Sequence, residues 1–72
     1  MKMDKYEVII YWSDKDELYI AEVPELPGCS AHGNSRSEAL KNVDEAIELW
    51  IQTAQEFGES IPEPKGRKLL YA

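Results

Sequence analysis

Residues 19–51, YIAEVPELPGCSAHGNSRSEALKNVDEAIELWI, leave this chain little freedom in how it folds. A run that alternates side chains like a strand ends in Pro24-Glu25-Leu26-Pro27-Gly28. Proline cannot donate to a β-ladder, and Gly28 admits a positive φ, so the chain must turn there. Cys29 to Gly33 is then long enough for a short strand only. Ser35-Arg36-Ser37-Glu38 follows with the spacing of a capping box, a helix start in which the first hydroxyl and the later carboxylate each satisfy an orphan backbone N–H. From there Ala39, Leu40, Val43, Ala46, Ile47, Trp50, Ile51, Ala54 and Phe57 fall within one broad arc at ~100° per residue. Leu49 projects well away from that stripe. Gly58 is a natural helix stop.

Upstream, Lys5 to Trp12 (KYEVIIYW) is rich in β-branched and aromatic residues and predicts a strand. Tyr6, Val8, Ile10 and Trp12 would share one face, and Ile9 and Tyr11 the other. Ser13-Asp14-Lys15-Asp16 is a polar turn, and Glu17 to Val23 returns as the second strand of an antiparallel hairpin. Downstream, Glu59 to Gly66, with Pro62 and Pro64, predicts an extended linker, and Lys68 to Ala72 a possible fourth strand. The expected fold class is α+β: a small three- to four-stranded, mainly antiparallel sheet with one amphipathic helix on one face, in ββ-β-α-β order.

At 72 residues the chain fits one domain, 1–72, and buries a smaller fraction of its surface than a larger domain does. Cores of this size supply only a few kcal/mol of net stability, so small domains recruit disulfides, metals or other subunits. One cysteine, Cys29, rules out an intrachain disulfide, and one histidine, His32, without a Cys/His cluster gives no zinc ligand set. Self-association is the remaining aid. A single helix covers one side of the sheet, which leaves Ile9 and Tyr11 as candidates for a homodimer or higher homo-oligomer. The alternative is that the C-terminal segment folds over them.

The hydrophobic content, 43%, is that of a folded domain. No apolar run approaches the ~20 residues that span a membrane, and MKMDKYEVII lacks the apolar core of a signal peptide. A cytoplasmic location is expected. The net charge of -6 repels phosphate backbones, so direct nucleic-acid binding is not expected, whereas basic proteins are attracted. Asp14, Asp16 and Glu17 at the hairpin tip, and Asp44, Glu45 and Glu48 on the polar face of the helix, are the candidate partner-binding carboxylates.

Chemistry finds no foothold. Cys29 and His32 stand three apart in an extended segment and point to opposite faces, which suits ordinary strand residues better than a nucleophile and its base. Most of the carboxylates fall in turns or on the solvated helix face. HExxH, P-loop and GxGxxG patterns are absent. Trp12, Trp50 and Phe57 could stack bases, but with few basic residues around them core packing is the better account. No catalytic residue, metal site or cofactor is assigned.

The strand ending Ala21-Glu22-Val23-Pro24-Glu25-Leu26-Pro27-Gly28-Cys29, then Ala31-His32-Gly33-Asn34, Ser37-Glu38-Ala39-Leu40-Lys41-Asn42-Val43 and Glu45-Ala46-Ile47, resemble the HicB-like antitoxins of bacterial and archaeal toxin–antitoxin pairs. The resemblance extends roughly from Tyr6 to Pro64. It implies a truncated ribonuclease H-type sheet and helix without the catalytic carboxylates, and Lys5 to Trp12 indeed carries no aspartate. It implies a partner: a small basic ribonuclease toxin, resembling a double-stranded RNA-binding domain, whose active site the antitoxin blocks without chemistry of its own. An orphan homodimeric module without a toxin is the alternative. Longer relatives carry a C-terminal DNA-binding module. The tail from Lys65 to Ala72 is too short for one, so none is expected here.

Overall fold

A computed structural model describes residues 5–64 of the chain. Strand β1 (Ile9–Ser13), strand β2 (Leu18–Glu22), strand β3 (Ser30–Gly33) and helix α1 (Arg36–Glu56) follow in that order. The strands form one antiparallel sheet in the order β1-β2-β3, with α1 packed on one face. This is the expected small α+β fold. The expected strand at Lys68 to Ala72 lies outside the described residues.

The hairpin between β1 and β2 pairs Tyr11 with Ile20 and Ser13 with Leu18. Its tip is closed by the backbone N–H of Glu17 on the Ser13 carbonyl, 2.8 Å away. Glu17 takes φ 54°, the left-handed conformation that lets the chain re-enter β2. Around the tip the Ser13 hydroxyl donates to Asp16 Oδ2 at 2.9 Å, and the Trp12 indole donates to Asp14 Oδ1 at 3.2 Å.

Beyond β2, the Pro-Gly segment makes a compact double turn. Leu26 N–H donates to the Val23 carbonyl at 3.1 Å, and Cys29 N–H to the Leu26 carbonyl at 3.0 Å. Gly28 supplies the positive φ, 78°. The turn drives Leu26 into the core, where it is fully buried with Ala21, Val23, Ala39, Val43 and Ile47.

Helix α1 is capped at both ends. Ser35 Oγ accepts from the Glu38 N–H at 3.1 Å, as its spacing predicts. Glu38 reaches back one residue further than a capping box does, and its carboxylate accepts from the Asn34 N–H at 2.8 Å. At the other end Glu59 N–H bonds the Ala54 carbonyl and Gly58 N–H bonds the Gln55 carbonyl, with Gly58 at φ 68°. This is a Schellman stop, which uses the orphan carbonyls of the last turn.

Three contacts fix how the helix lies. Gly33 meets it so closely that a Cβ there would stand 2.5 Å from the backbone nitrogen of Ala39. Asn42 Nδ2 donates to the His32 carbonyl at 2.7 Å, and Trp50 Nε1 to the Pro27 carbonyl at 3.0 Å. The helix therefore runs back along β3, covers β2 less and barely reaches β1.

That placement corrects several expectations. Regular pairing starts at Ile9 rather than Lys5. Tyr6 lies ahead of the strand as a buried plug whose hydroxyl donates to the Pro62 carbonyl. Trp12 shares the helix side of the sheet with Ile10 but is 49% exposed, because it stands on the strand that α1 hardly covers. It rests edge-on against its cross-strand partner Tyr19, ring centroids 5.2 Å apart. Leu40, expected on the buried stripe of the helix, is also exposed. Phe57, 73% exposed, is the C-cap, where the chain turns away from the core.

Candidate functional site

The carboxylates singled out from the sequence occupy two separate places. Asp14, Asp16 and Glu17 sit exposed at the hairpin tip. Two of them also hold the turn, through Trp12 and Ser13, so they are oriented rather than free to swing. Asp44, Glu45 and Glu48 are exposed on the side of α1 away from the sheet. Asp44 and Glu48 are one turn apart on one ridge, a fixed pair of like charges that a cation would relieve. Among the described residues, no three acidic, histidine or cysteine side chains converge as a metal site would require.

Ile9 and Tyr11 project from the face opposite the helix. Alternation along the register sets Leu18 and Ile20 beside them, two half-buried residues that sequence reasoning passed over. Their parity in the second strand was the available signal. Tyr11 donates its hydroxyl to Glu22 Oε2 at 2.8 Å across this face. That bond to the carboxylate raises the Tyr11 pKa above its ordinary value, with smaller contributions from desolvation and from the charges of Glu22 and Asp16. Glu22 and the edge of this apolar strip are thereby held together.

Cys29 is buried at the start of β3, and burial pushes its thiol pKa up. A thiol so placed is poorly nucleophilic. His32 is exposed on the outer face, next to Ile20 in the register.

One further feature lies where β3 meets the second half of α1. Pro27, Ser30, Ala46, Leu49, Trp50 and Thr53 line an open groove of about 510 Å³, with Glu59 at its rim. Leu49, the residue that left the helical stripe, forms its outer wall and is 63% exposed. The sequence marks Leu49 as an exception but cannot place the groove, because that depends on the helix lying over β3.

The described residues thus form a two-layer unit with exposed carboxylates at the hairpin tip and on α1, and an apolar strip on the outer sheet face. The chain belongs to the family described as the HicB-like antitoxins of bacterial toxin–antitoxin systems, which matches residues 6–70. It is 40% identical over 65 residues to a UPF0150 protein of Thermoplasma acidophilum, covering 90% of this chain and 93% of that one. A UPF0150 protein of Archaeoglobus fulgidus is 39% identical over 59 residues, 79% of this chain and 84% of its own. One of Helicobacter pylori is 54% identical over a shorter stretch of 39 residues, 53% of this chain and 54% of its own. Among the described residues no helix is long and apolar enough to cross a membrane.

Proposed function

We propose that this protein is an antitoxin that binds a small basic ribonuclease and occludes its RNA-cutting surface, contributing no chemistry of its own. The observation that carries the reading is the family match over residues 6–70. The net charge of -6 and the exposed carboxylates at the hairpin tip and on α1 support it, since a protein that seeks RNA presents cations. Asp14, Asp16 and Glu17, together with Asp44, Glu45 and Glu48, are the candidate contacts. The test is direct. The protein is co-expressed with a small basic protein encoded by an adjoining reading frame, and the pair is purified. Stoichiometric co-purification, loss of the partner's RNA cleavage on mixing, and affinity that weakens as salt rises are the expected results. Two chains that do not associate, or RNA cleavage that persists in the complex, would remove the reading for that pair.

A second reading is favoured by the outer sheet face. Ile9, Tyr11, Leu18 and Ile20 form an apolar strip on the face of the sheet opposite α1, and a homodimer formed there would make an assembly module without a toxin. Sedimentation of the wild type against Ile9→Lys decides it: a shift to monomer in the variant supports dimerisation on this face, and identical behaviour refutes it.

A further inference from the structure

We propose that the groove between β3 and α1 receives an extended segment of a partner protein, one that alternates apolar and basic side chains and adds as a strand to β3.

The backbone supplies the first argument. Val23 N–H bonds the Cys29 carbonyl at 3.0 Å, and this fixes the alternation along β3. In an antiparallel ladder, residues exchange hydrogen bonds only at every second pair. Cys29, Ala31 and Gly33 therefore turn their backbone groups toward β2, whereas Ser30 and His32 turn theirs outward. Among the described residues no strand lies beyond β3. The Asn42 side chain occupies the outward His32 carbonyl. That leaves the outward N–H and C=O of Ser30, the one β3 residue that lines the groove, and the outward N–H of His32 two residues further along the same edge.

The walls supply the second. Ala46, Leu49, Trp50 and Thr53 of α1 line the same groove as Ser30 and make its mainly apolar helix wall. An edge strand beside a helix wall is the arrangement in which added peptide strands gain main-chain hydrogen bonds from the sheet and side-chain burial from the helix. An exposed leucine at 63% on an otherwise acidic helix is what such a wall requires.

Charge identifies the occupant. Glu59 lines the groove, and Glu45 and Glu56 flank Leu49 on the helix surface, one turn before it and two turns after it. These carboxylates repel a second copy of a chain with net charge -6 and attract lysine or arginine. The inference deepens the antitoxin reading by naming the mode in which a basic partner is held, and it rests on that reading for the partner's identity.

The test uses isotopically labelled full-length protein titrated with a blocked heptapeptide, Lys-Val-Lys-Val-Lys-Val-Lys. Controls carry Glu for Lys, or Pro for the central Val. Saturable shifts centred on the Ser30 and His32 amides, with slowed amide exchange there, are expected. Both control peptides should bind about tenfold more weakly or worse, from charge repulsion and from the lost strand geometry. Leu49→Lys, at an exposed position, should keep the thermal midpoint and weaken the Lys-Val peptide by about tenfold. Ser30→Pro removes one outward N–H on an edge, where proline is tolerated, and should weaken it as well. Shifts centred on Tyr11 and Ile20, equal binding of the proline peptide, no saturable shift at millimolar peptide, or self-association through Ser30 and His32 without peptide would each overturn the proposal. A basic partner protein separates the two claims. If it binds the wild type and both variants equally, the groove is overturned and the antitoxin reading stands. If it binds neither, that reading falls, and the peptide titration still decides the groove.

Discussion

The Trp50 indole N–H donates to the Pro27 carbonyl at 3.0 Å, tying the middle of the helix to the Pro-Gly turn 23 residues earlier. The bond joins the Pro-Gly turn of the family pattern to the helix a few residues beyond that pattern's last segment. It also sets one end of the groove, since both residues line it.

Trp50→Phe keeps most of the ring and removes the donor. The bond is solvent-accessible, so water can replace it at the carbonyl. A loss of about 0.5–1.5 kcal/mol is expected, read as a lower urea midpoint with an unchanged slope. A changed slope would mean that the turn itself had opened.

Gly33→Ala should cost more. The new methyl would stand 2.5 Å from the Ala39 nitrogen and 2.8 Å from the Glu38 carbonyl carbon, both backbone atoms that cannot rotate aside. The first turn of α1 must lift from β3. A loss of about 1–3 kcal/mol is expected, which for a domain of this size lowers the thermal midpoint by about 4–8 °C per kcal/mol. An unchanged midpoint would show that the helix has room to move.

Much of this was legible because it is local. Ser35, Gly58 and the Pro24–Gly28 turn bracket their elements through backbone chemistry confined to a few neighbours. The lateral position of the helix is not local. Nothing in the periodicity of α1 says that it lies along β3 instead of over the middle of the sheet. Gly33, which permits it, reads in sequence as one more small residue. The exposure of Trp12 and the existence of the groove that Leu49 lines both follow from that one displacement. The alternation that gave Ile9 and Tyr11 also contained Leu18 and Ile20, but only the register shows that the four meet. The carboxylates were legible as exposed, while the hydrogen bonds of Asp14 and Asp16 depended on how the hairpin closes.

Tyr11 gives a pH signature. Its pKa is raised in the folded state, chiefly by the bond to Glu22, so the unfolded chain loses the phenolic proton first. Stability from this group is complete below the unfolded tyrosine value and is lost as pH rises through the folded one. An ultraviolet titration of the wild type should contain a late-titrating tyrosine absent from Tyr11→Phe. The variant should also lose less stability in the alkaline range. Matching titrations would show that the Tyr11–Glu22 bond does not persist in solution.

Cys29 reports on its surroundings. Burial raises its pKa, so less thiolate is present at any given pH than for an exposed cysteine. Alkylation by iodoacetamide at neutral pH should be slow in the folded protein and accelerate sharply through the urea transition. A rate equal to that of a free thiol would mean that the segment around Gly28 opens readily.

The amide of Asn42 on the His32 carbonyl has a bearing on solubility. A short ribbon whose outer strand, among the described residues, turns peptide groups outward is a repeat unit for lateral stacking, copy upon copy, into a fibre. Among the described residues one side-chain amide stoppers that row at the His32 carbonyl, and the like charge of neighbouring copies opposes stacking along it. Under the strand-addition proposal, the same rim would take a cationic segment without becoming a seed for its own kind.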